Sequence, residues 1–592
     1  MKLHLPALSL LAASMALALP LTGVQAAEPT TATASADNKA FAAFTDQFLD
    51  AFWKANPDWA IGVGNYKYAN RLDVPDAKAR TRALAFVDHW LKQLAGFEKQ
   101  SLNDNQRTDL ALIKNQLESQ RWYLTEFRAF EWDPTQYNVA EPFALLLNTE
   151  YAPLDERLHT VYQRLEHVPA YYAAAKASIK NPTREHTELA IKQSQGAIDV
   201  LGEDLAKKIA DSTLSAAEKA DFGKRIDAAK AAITDYIAFL TRLDAKLVKD
   251  GARSFRIGKA LYEPKFAHDI QAGMTAEQLY QRALVEKEKL HVHMDKLADE
   301  LWPKYMAGTP KPSDRLEKIG KLIDTLSAHH VKRENFVAEI KRQIPILEKW
   351  VSDHNLVAQD PSRPLVVRET PIYMRGVAGA SVSAPGPYDP KANTYYNVTP
   401  LDDYSPEQAE SYLREYNDWI LQVLNIHEAV PGHYVQLVNS NKSPSLVKSI
   451  FGNGAMVEGW AVYSERMMLE SGYGDNTPEM WLMYSKWNLR VVCNAILDYS
   501  VHVLGMSEDD VLKLLTKEAF QSEAEARGKW KRVTLSSVQL TSYFTGFAEI
   551  YDFREQLKKQ QGKDFDLKRF HDQFLSYGSA PVGMIKSLMQ KH

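Results

Sequence analysis

The sequence holds one cysteine, Cys493, among 592 residues. No intrachain disulfide can form, and a cysteine-ligated zinc site is excluded. Cys493 lies in the apolar run LRVVCNAILDYS and reads as a small buried residue. Net charge is equally scarce: 71 Lys and Arg against 75 Asp and Glu leave −4 at neutral pH. Nothing in that balance calls for nucleic acid or an anionic membrane as partner. Past the N-terminal segment, no run approaches the ~20 consecutive apolar residues that span a bilayer, so no membrane anchor is expected. The G-x-G-x-x-G fingerprint, the Walker loop, the G-x-S-x-G elbow and internal repeats are all missing. What remains is ordinary globular composition, 45% apolar and 25% charged.

The first 26 residues, MKLHLPALSLLAASMALALPLTGVQA, have a basic start, an apolar run and a small-residue end. That pattern predicts a secretory signal cleaved after Ala26, and an exported chain, most simply in a bacterial periplasm. No cysteine adjoins the cut to accept a lipid. Residues 27–37 are small and polar and read as a disordered lead-in.

From there the chain reads as mainly α. Phe41, Phe44, Phe48 and Phe52 recur at helical spacing, and Asn56-Pro57 stops the run. Thr275 and Gln278 fit a capping box, as do Ser405 and Gln408 with Pro406 at the first helical position. The Gly- and Pro-bearing stretch 249–266 breaks the pattern without a shift in composition. The expected organisation is one large helical domain over 38–592, with an N-terminal lobe over about 38–250 and a metal-site part over about 260–592. Only residues 363–400 differ in texture, with β-branched residues around Pro-Gly-Pro and Asp-Pro turns, and predict a small sheet or extended loop. Ala378–Pro385 there can offer a backbone edge to an extended peptide.

The segment NIHEAVPGHYVQL, Asn425 to Leu437, is chemically the most specific. Apolar spacing through Leu413, Tyr416, Ile420 and Val423 continues to His427, predicting one helix with His427 on its buried stripe. In H-E-x-x-H zinc peptidases the two histidines stand four apart and share a helix face. Here His427 and His433 stand six apart, about 120° from each other on an ideal helix. Pro431-Gly432 interrupts the ladder between them at roughly 3 and 1 kcal/mol respectively. A helix bulged at this dipeptide would return His433 to the same ion. The plainer alternative ends one helix at Pro431 and begins another at His433.

Twenty-five residues beyond His433, Glu458 sits in the helical run MVEGWAVYSERMM. Two histidines on one element and a glutamate on the next form the His₂Glu set of catalytic zinc, leaving a position for water. Glu465, seven residues on, shares the face of Glu458 and can orient a ligand histidine.

The segments HEAVPGH, EGWAVYSE, LRVVCNAILDYSVHVLGMS and VQLTSYFTGFAEI together resemble the domain-of-unknown-function 885 family, itself similar to gluzincin metallopeptidases. The resemblance covers most of the mature chain. It implies His427, His433 and Glu458 as ligands of one Zn²⁺ per chain, Glu428 as general base, and a helical two-lobed fold around a deep cleft.

Asp498 and His502, four apart, can pair as an oriented acid or hydrogen-bond donor, with His502 an alternative to Tyr543 for stabilising an oxyanion. Tyr543 can offer its phenol to a developing oxyanion, as a Tyr does in related two-lobed zinc peptidases. The family usually shows Pro-Gly-Gln before this Tyr, where the present chain reads Ser537-Val538-Gln539. Arg490 and Arg532 are candidates for gripping a peptide carboxylate. These parts predict an exported zinc peptidase for short peptides, an oligopeptidase or exopeptidase. The alternatives are a helical periplasmic binding protein that is not an enzyme, or a zinc hydrolase acting on an ester or non-peptide amide.

Overall fold

The computed structural model describes residues 36–370, 379–388, 393–443 and 445–590. The signal segment and nearly all of the lead-in lie outside these residues, as does Ala378. Ala36 and Asp37, assigned by sequence to the lead-in, instead open the first helix, α1 (Ala36–Ala55).

The fold is mainly α. The Phe stripe of α1 is buried as its spacing requires and packs against α2 (Asp104–Trp122). The long helix α3 (Ala216–Asp250) starts at a Ser215–Glu218 capping box and organises a separate apolar core running from Ile61 to Leu240. A third core runs from Tyr262 to Met589. It includes α4 (Ala276–Tyr305), capped by Thr275 and Gln278 as expected, and α5 (Phe336–Asp353).

The region of different texture forms a three-stranded sheet in the order β1-β3-β2, from β1 (Leu365–Glu369), β2 (Ala380–Ser383) and β3 (Thr394–Val398). β1 runs parallel to β3, with Leu365 opposite Thr394, while β2 runs antiparallel to it, with Ser381 opposite Asn397. The alternating side chains put Tyr396 into the core, where its hydroxyl donates to Asn425 Oδ1 at 2.8 Å. Asn425 in turn donates to Gln343 of α5 at 2.7 Å.

The remaining helices build the site: α6 (Ile420–Glu428), α7 (His433–Ser440), α8 (Leu446–Ile450), α9 (Gly454–Glu470), α10 (Pro478–His502), α11 (Glu523–Leu535), α12 (Ser542–Gln561) and α13 (Leu567–Ser576). Two sequence expectations are corrected here. The helix capped by Ser405 stops at Glu415, and Asn417 Oδ1 accepts from the Trp419 and Ile420 amides to start α6 afresh. The single helix from Pro406 to His427 is therefore two. The helix also does not bulge through Pro431-Gly432: α6 ends at Glu428 and α7 begins at His433, joined by a turn with a cis Val430–Pro431 bond.

Candidate metal centre

The turn between α6 and α7 solves by a chain break what a continuous helix could not. The Ala429 and Val430 amides both donate to the Asn425 carbonyl, and the Gly432 amide donates back to Ile426. The chain passes so close to α6 that a Cβ on Gly432 would lie 1.9 Å from the His427 carbonyl oxygen. Only glycine permits that approach. The Pro431 carbonyl is held by the buried Trp460 indole at 2.9 Å. His433, first residue of α7, is thereby aimed back at the last turn of α6. The two imidazoles meet nearly perpendicular, with centroids 4.8 Å apart.

Glu458 on α9 completes the group. Its Oε2 lies 3.4 Å from His433 Nε2 and 3.8 Å from His427 Nε2. A tetrahedral ion with bonds of about 2.0–2.2 Å spaces its ligand atoms about 3.3–3.6 Å apart. The donor set and its spacing therefore fit a zinc-sized ion. Both nitrogens turned toward Glu458 are Nε2, which leaves each Nδ1 to face the protein. His427 Nδ1–H donates to Glu465 Oε1 at 2.6 Å, and Glu465 is fully buried. His433 Nδ1 is buried with no partner among the described residues.

The electrostatics follow from this crowding. Burial alone would push His427 down, but the Glu465 hydrogen bond and the charges of Glu465, Glu428 and Glu458 outweigh it and raise the ring to about 9. Burial raises Glu465, against the pull of His427, and the Trp487 indole stands beside the same carboxyl. Neither the indole N–H nor Glu465 Oε2 completes a hydrogen bond among the described residues. Burial raises Glu428 as well, with the two histidines opposing. Burial also opposes charge on Glu458, yet the His433 and His427 rings and Arg532 together hold its carboxyl below the usual value. The general-base candidate is thus made more basic than an ordinary carboxylate, while the ligand candidate stays charged.

The two residues that follow Glu458, Gly459 and Trp460, position the site through backbone contact and a hydrogen bond. Gly459 lies where α9 crosses α12, and a Cβ there would fall 2.3 Å from Gly546 Cα. A Cβ on Gly546 would in turn reach within 1.7 Å of the Ala455 carbonyl oxygen. This backbone contact brings Tyr543, one turn before Gly546, near enough to Glu458 for that charge to raise its phenol, after burial as the larger cause. Trp460 clamps the Pro431 turn. In E-G-W, then, Glu faces the histidines, Gly admits the second helix and Trp secures the turn. Asn425 and Tyr396, which brace α6 from behind, carried no sequence signal.

Arg532 on α11 donates to the Tyr543 hydroxyl at 3.1 Å and to Gln539 at 2.7 Å, at an exposed position. Arg490 on α10 is half-buried over the Trp487 ring and lies 3.1 Å from Glu525. Asp498 and His502 depart from their expected role. Asp498 is fully buried and accepts from the Val538 and Leu540 amides and the Tyr262 hydroxyl. His502 Nε2 donates to the Val533 and Ser536 carbonyls. Among the described residues, no hydrogen bond or ion pair joins either to His427, Glu428, His433 or Glu458. They hold the loop from which α12 and Tyr543 depart, because a buried carboxylate finds its satisfaction in free amides. In that loop Val538 takes φ 71°, at the position where the family usually has Gly. Asp498 fastens a backbone conformation that a β-branched residue rarely adopts.

The family profile described as "Bacterial protein of unknown function (DUF885)" matches residues 57–589, and the chain belongs to that family. A solved structure from Shewanella oneidensis, described as a "putative lipoprotein of unknown function", is 58% identical. The match covers 93% of this chain and 99% of that one, with a TM-score of 0.86. A second, a "putative lipoprotein" from Colwellia psychrerythraea, is 16% identical over 94% of this chain and 99% of that one, with a TM-score of 0.76, and shares the fold. Among proteins with curated descriptions, none matches. No helix of the described residues is long and apolar enough to cross a membrane.

Proposed function

We propose that this chain is an exported zinc-dependent hydrolase of short peptides, of the gluzincin kind. The observation that carries the reading is the convergence of His427, His433 and Glu458 with Glu428 beside them and Glu465 behind His427. A binding protein has no use for a base with raised pKa next to such a group. Export is supported by the signal-like N-terminus and by the description of both structural relatives as lipoproteins.

His427, His433 and Glu458 would hold the zinc, and the Glu465 carboxylate fixes the His427 tautomer that presents Nε2. When bound, zinc acidifies water and polarises a carbonyl oxygen. Glu428 accepts a proton from the attacking water as its oxygen adds to the scissile carbonyl carbon. When the C–N bond breaks, Glu428 returns that proton to the leaving amine. Tyr543, held by Arg532, offers its hydroxyl to the developing oxyanion.

The test is elemental analysis of purified wild type and Glu428→Gln, with both assayed on a mixed peptide library. About one zinc per chain in both, with cleavage by the wild type alone, is the expected result. Zinc without peptide cleavage would move the assignment to an ester or non-peptide amide. Absence of bound metal in both would leave a helical binding protein as the reading.

A further inference from the structure

Seven Lys and Arg side chains are buried among the described residues, and six of them are paired. Lys448 meets Asp109 at 2.6 Å, Lys486 meets Glu415 at 3.0 Å, and Lys318 meets Asp299 at 2.6 Å. Arg554 meets Glu470 at 2.7 Å, Arg164 meets Asp58, and Arg157 donates to two carbonyls. Lys529, on α11 and 5% exposed, is the seventh. Its amine has no hydrogen bond or ion pair among the described residues, although an unpaired buried ammonium is strongly disfavoured.

Its surroundings deepen the anomaly. Arg532 follows three residues later on the same helix face, and Arg490 of α10 pairs with Glu525, one turn before Lys529. Both guanidiniums act on Lys529, and with burial as the larger cause they drive its amine well below the ordinary lysine value. Glu525 is the one carboxylate that opposes this effect, and it already lies 3.1 Å from Arg490. Arg490 keeps one buried guanidinium nitrogen, Nη1, without a partner. Lys529 thus faces two guanidiniums and one carboxylate, and both its amine and Arg490 Nη1 lack a partner among the described residues.

This cluster also adjoins the candidate metal centre by two routes. From Glu465 the path runs through Trp487 to Arg490 stacked on its ring. From Glu458 it runs through Tyr543 to Arg532. A ligand lying against Tyr543 therefore meets the exposed Arg532, with the buried Lys529 one turn before it on α11. Arg forks and a lysine amine together suit a carboxylate, and every unblocked short peptide carries one at its C-terminus.

We propose that Lys529, with Arg490 and Arg532, forms a subsite for the free C-terminal carboxylate of the substrate, so that the enzyme selects short peptides with an unblocked C-terminus. The substrate supplies the missing counter-ion. This inference rests on the hydrolase reading for its substrate, but binding alone can test it. An acidic side chain on the substrate offers the same chemistry, and the peptide series separates the two sources.

The experiment titrates zinc-loaded Glu428→Gln protein, with Lys529 intact, with acetyl-Ala-Phe, acetyl-Ala-Phe-amide and acetyl-Glu-Phe-amide by calorimetry. Cleavage of matched acid and amide peptide libraries by active enzyme is measured alongside. The acid is expected to bind at least ten-fold tighter than either amide. In Lys529→Met that ratio should collapse toward one, while the melting temperature stays level or rises because an unpaired buried amine has gone. Tight binding of acetyl-Glu-Phe-amide equal to the acid would overturn the C-terminal assignment in favour of an acidic side chain. Equal affinities for all three with Lys529 intact, or a Lys529→Met protein that unfolds at lower temperature with its ratio intact, would overturn the subsite outright. Cleavage without acid preference defeats this inference alone, whereas acid preference without cleavage of any library defeats the hydrolase reading alone.

Discussion

Glu465 shows how much one buried atom decides. It touches no substrate position, yet its Oε1 fixes which His427 nitrogen is free to face Glu458. Glu465→Gln keeps the shape and exchanges a charged acceptor for a neutral amide. Such a loss behind a ligand histidine weakens metal binding about 10–100-fold. Competition against a chelator should show that drop in zinc affinity with the fold intact by circular dichroism, and unchanged affinity would remove Glu465 from the site. Val538 is the opposite case, a residue in the wrong conformational region for its type and held there by Asp498. The sequence marked that position as a departure from Pro-Gly-Gln; the positive φ gives the departure its physical meaning.

Between elements, the decisive contact is the crossing of α9 and α12 at Gly459 and Gly546. One backbone lies against the other, so the separation of Glu458 from Tyr543 depends on two missing side chains. Gly459→Ala would place a Cβ 2.3 Å from Gly546 Cα, where no rotamer can relieve the overlap. Helix propensity favours Ala by about 1 kcal/mol, but forced overpacking costs about 1–3 kcal/mol or more. The clash should win. Thermal unfolding is expected to show lower stability, with Tyr543 displaced and activity lost together. A variant of unchanged or higher stability would mean that the helices part without penalty. The α6–α7 turn obeys the same logic, since Gly432 and Trp460 convert a six-residue spacing into a facing pair of histidines.

For the whole molecule, the cores do not divide where the chain does. Helices α1 and α2, near the N-terminus, share an apolar cluster with α8, and the buried Lys448–Asp109 pair ties α8 to α2. His571 on α13 bridges further segments, accepting from the Tyr463 hydroxyl of α9 at 2.7 Å and donating to the Leu356 carbonyl at 2.7 Å. Burial there lowers its pKa to about 4, from an ordinary value of 6.5. Between those values the unfolded chain binds the proton and the folded chain does not, so stability rises with pH across the window. The His571 contribution is complete above pH ~6.5 and is lost as the pH falls toward ~4, amounting to roughly 3 kcal/mol at about 1.4 kcal/mol per unit. Melting curves at pH 7 and pH 4.5 should show a smaller fall for His571→Gln than for the wild type. Equal falls would show that acid sensitivity comes from other groups.

Local structure was legible in the sequence: the Phe stripe of α1, the capping boxes at Thr275 and Ser405, the small sheet, and the grouping of His427, His433 and Glu458. Each depends on residues near one another in the chain, and helix periodicity and capping act over one or two turns. Glu465 was legible for the same reason, through its seven-residue spacing from Glu458. The break in place of a bulge was not, because it depends on Trp460 reaching Pro431 from another helix. Asp498 and His502 look like a catalytic pair by spacing, and only packing reveals that loop amides and carbonyls already occupy them. Lys529 gave no signal at all: a lysine on an amphipathic helix reads as a solvated charge until the tertiary structure shows which cations have partners. Burial and pairing are relations between segments distant in the chain, and the fold alone decides them.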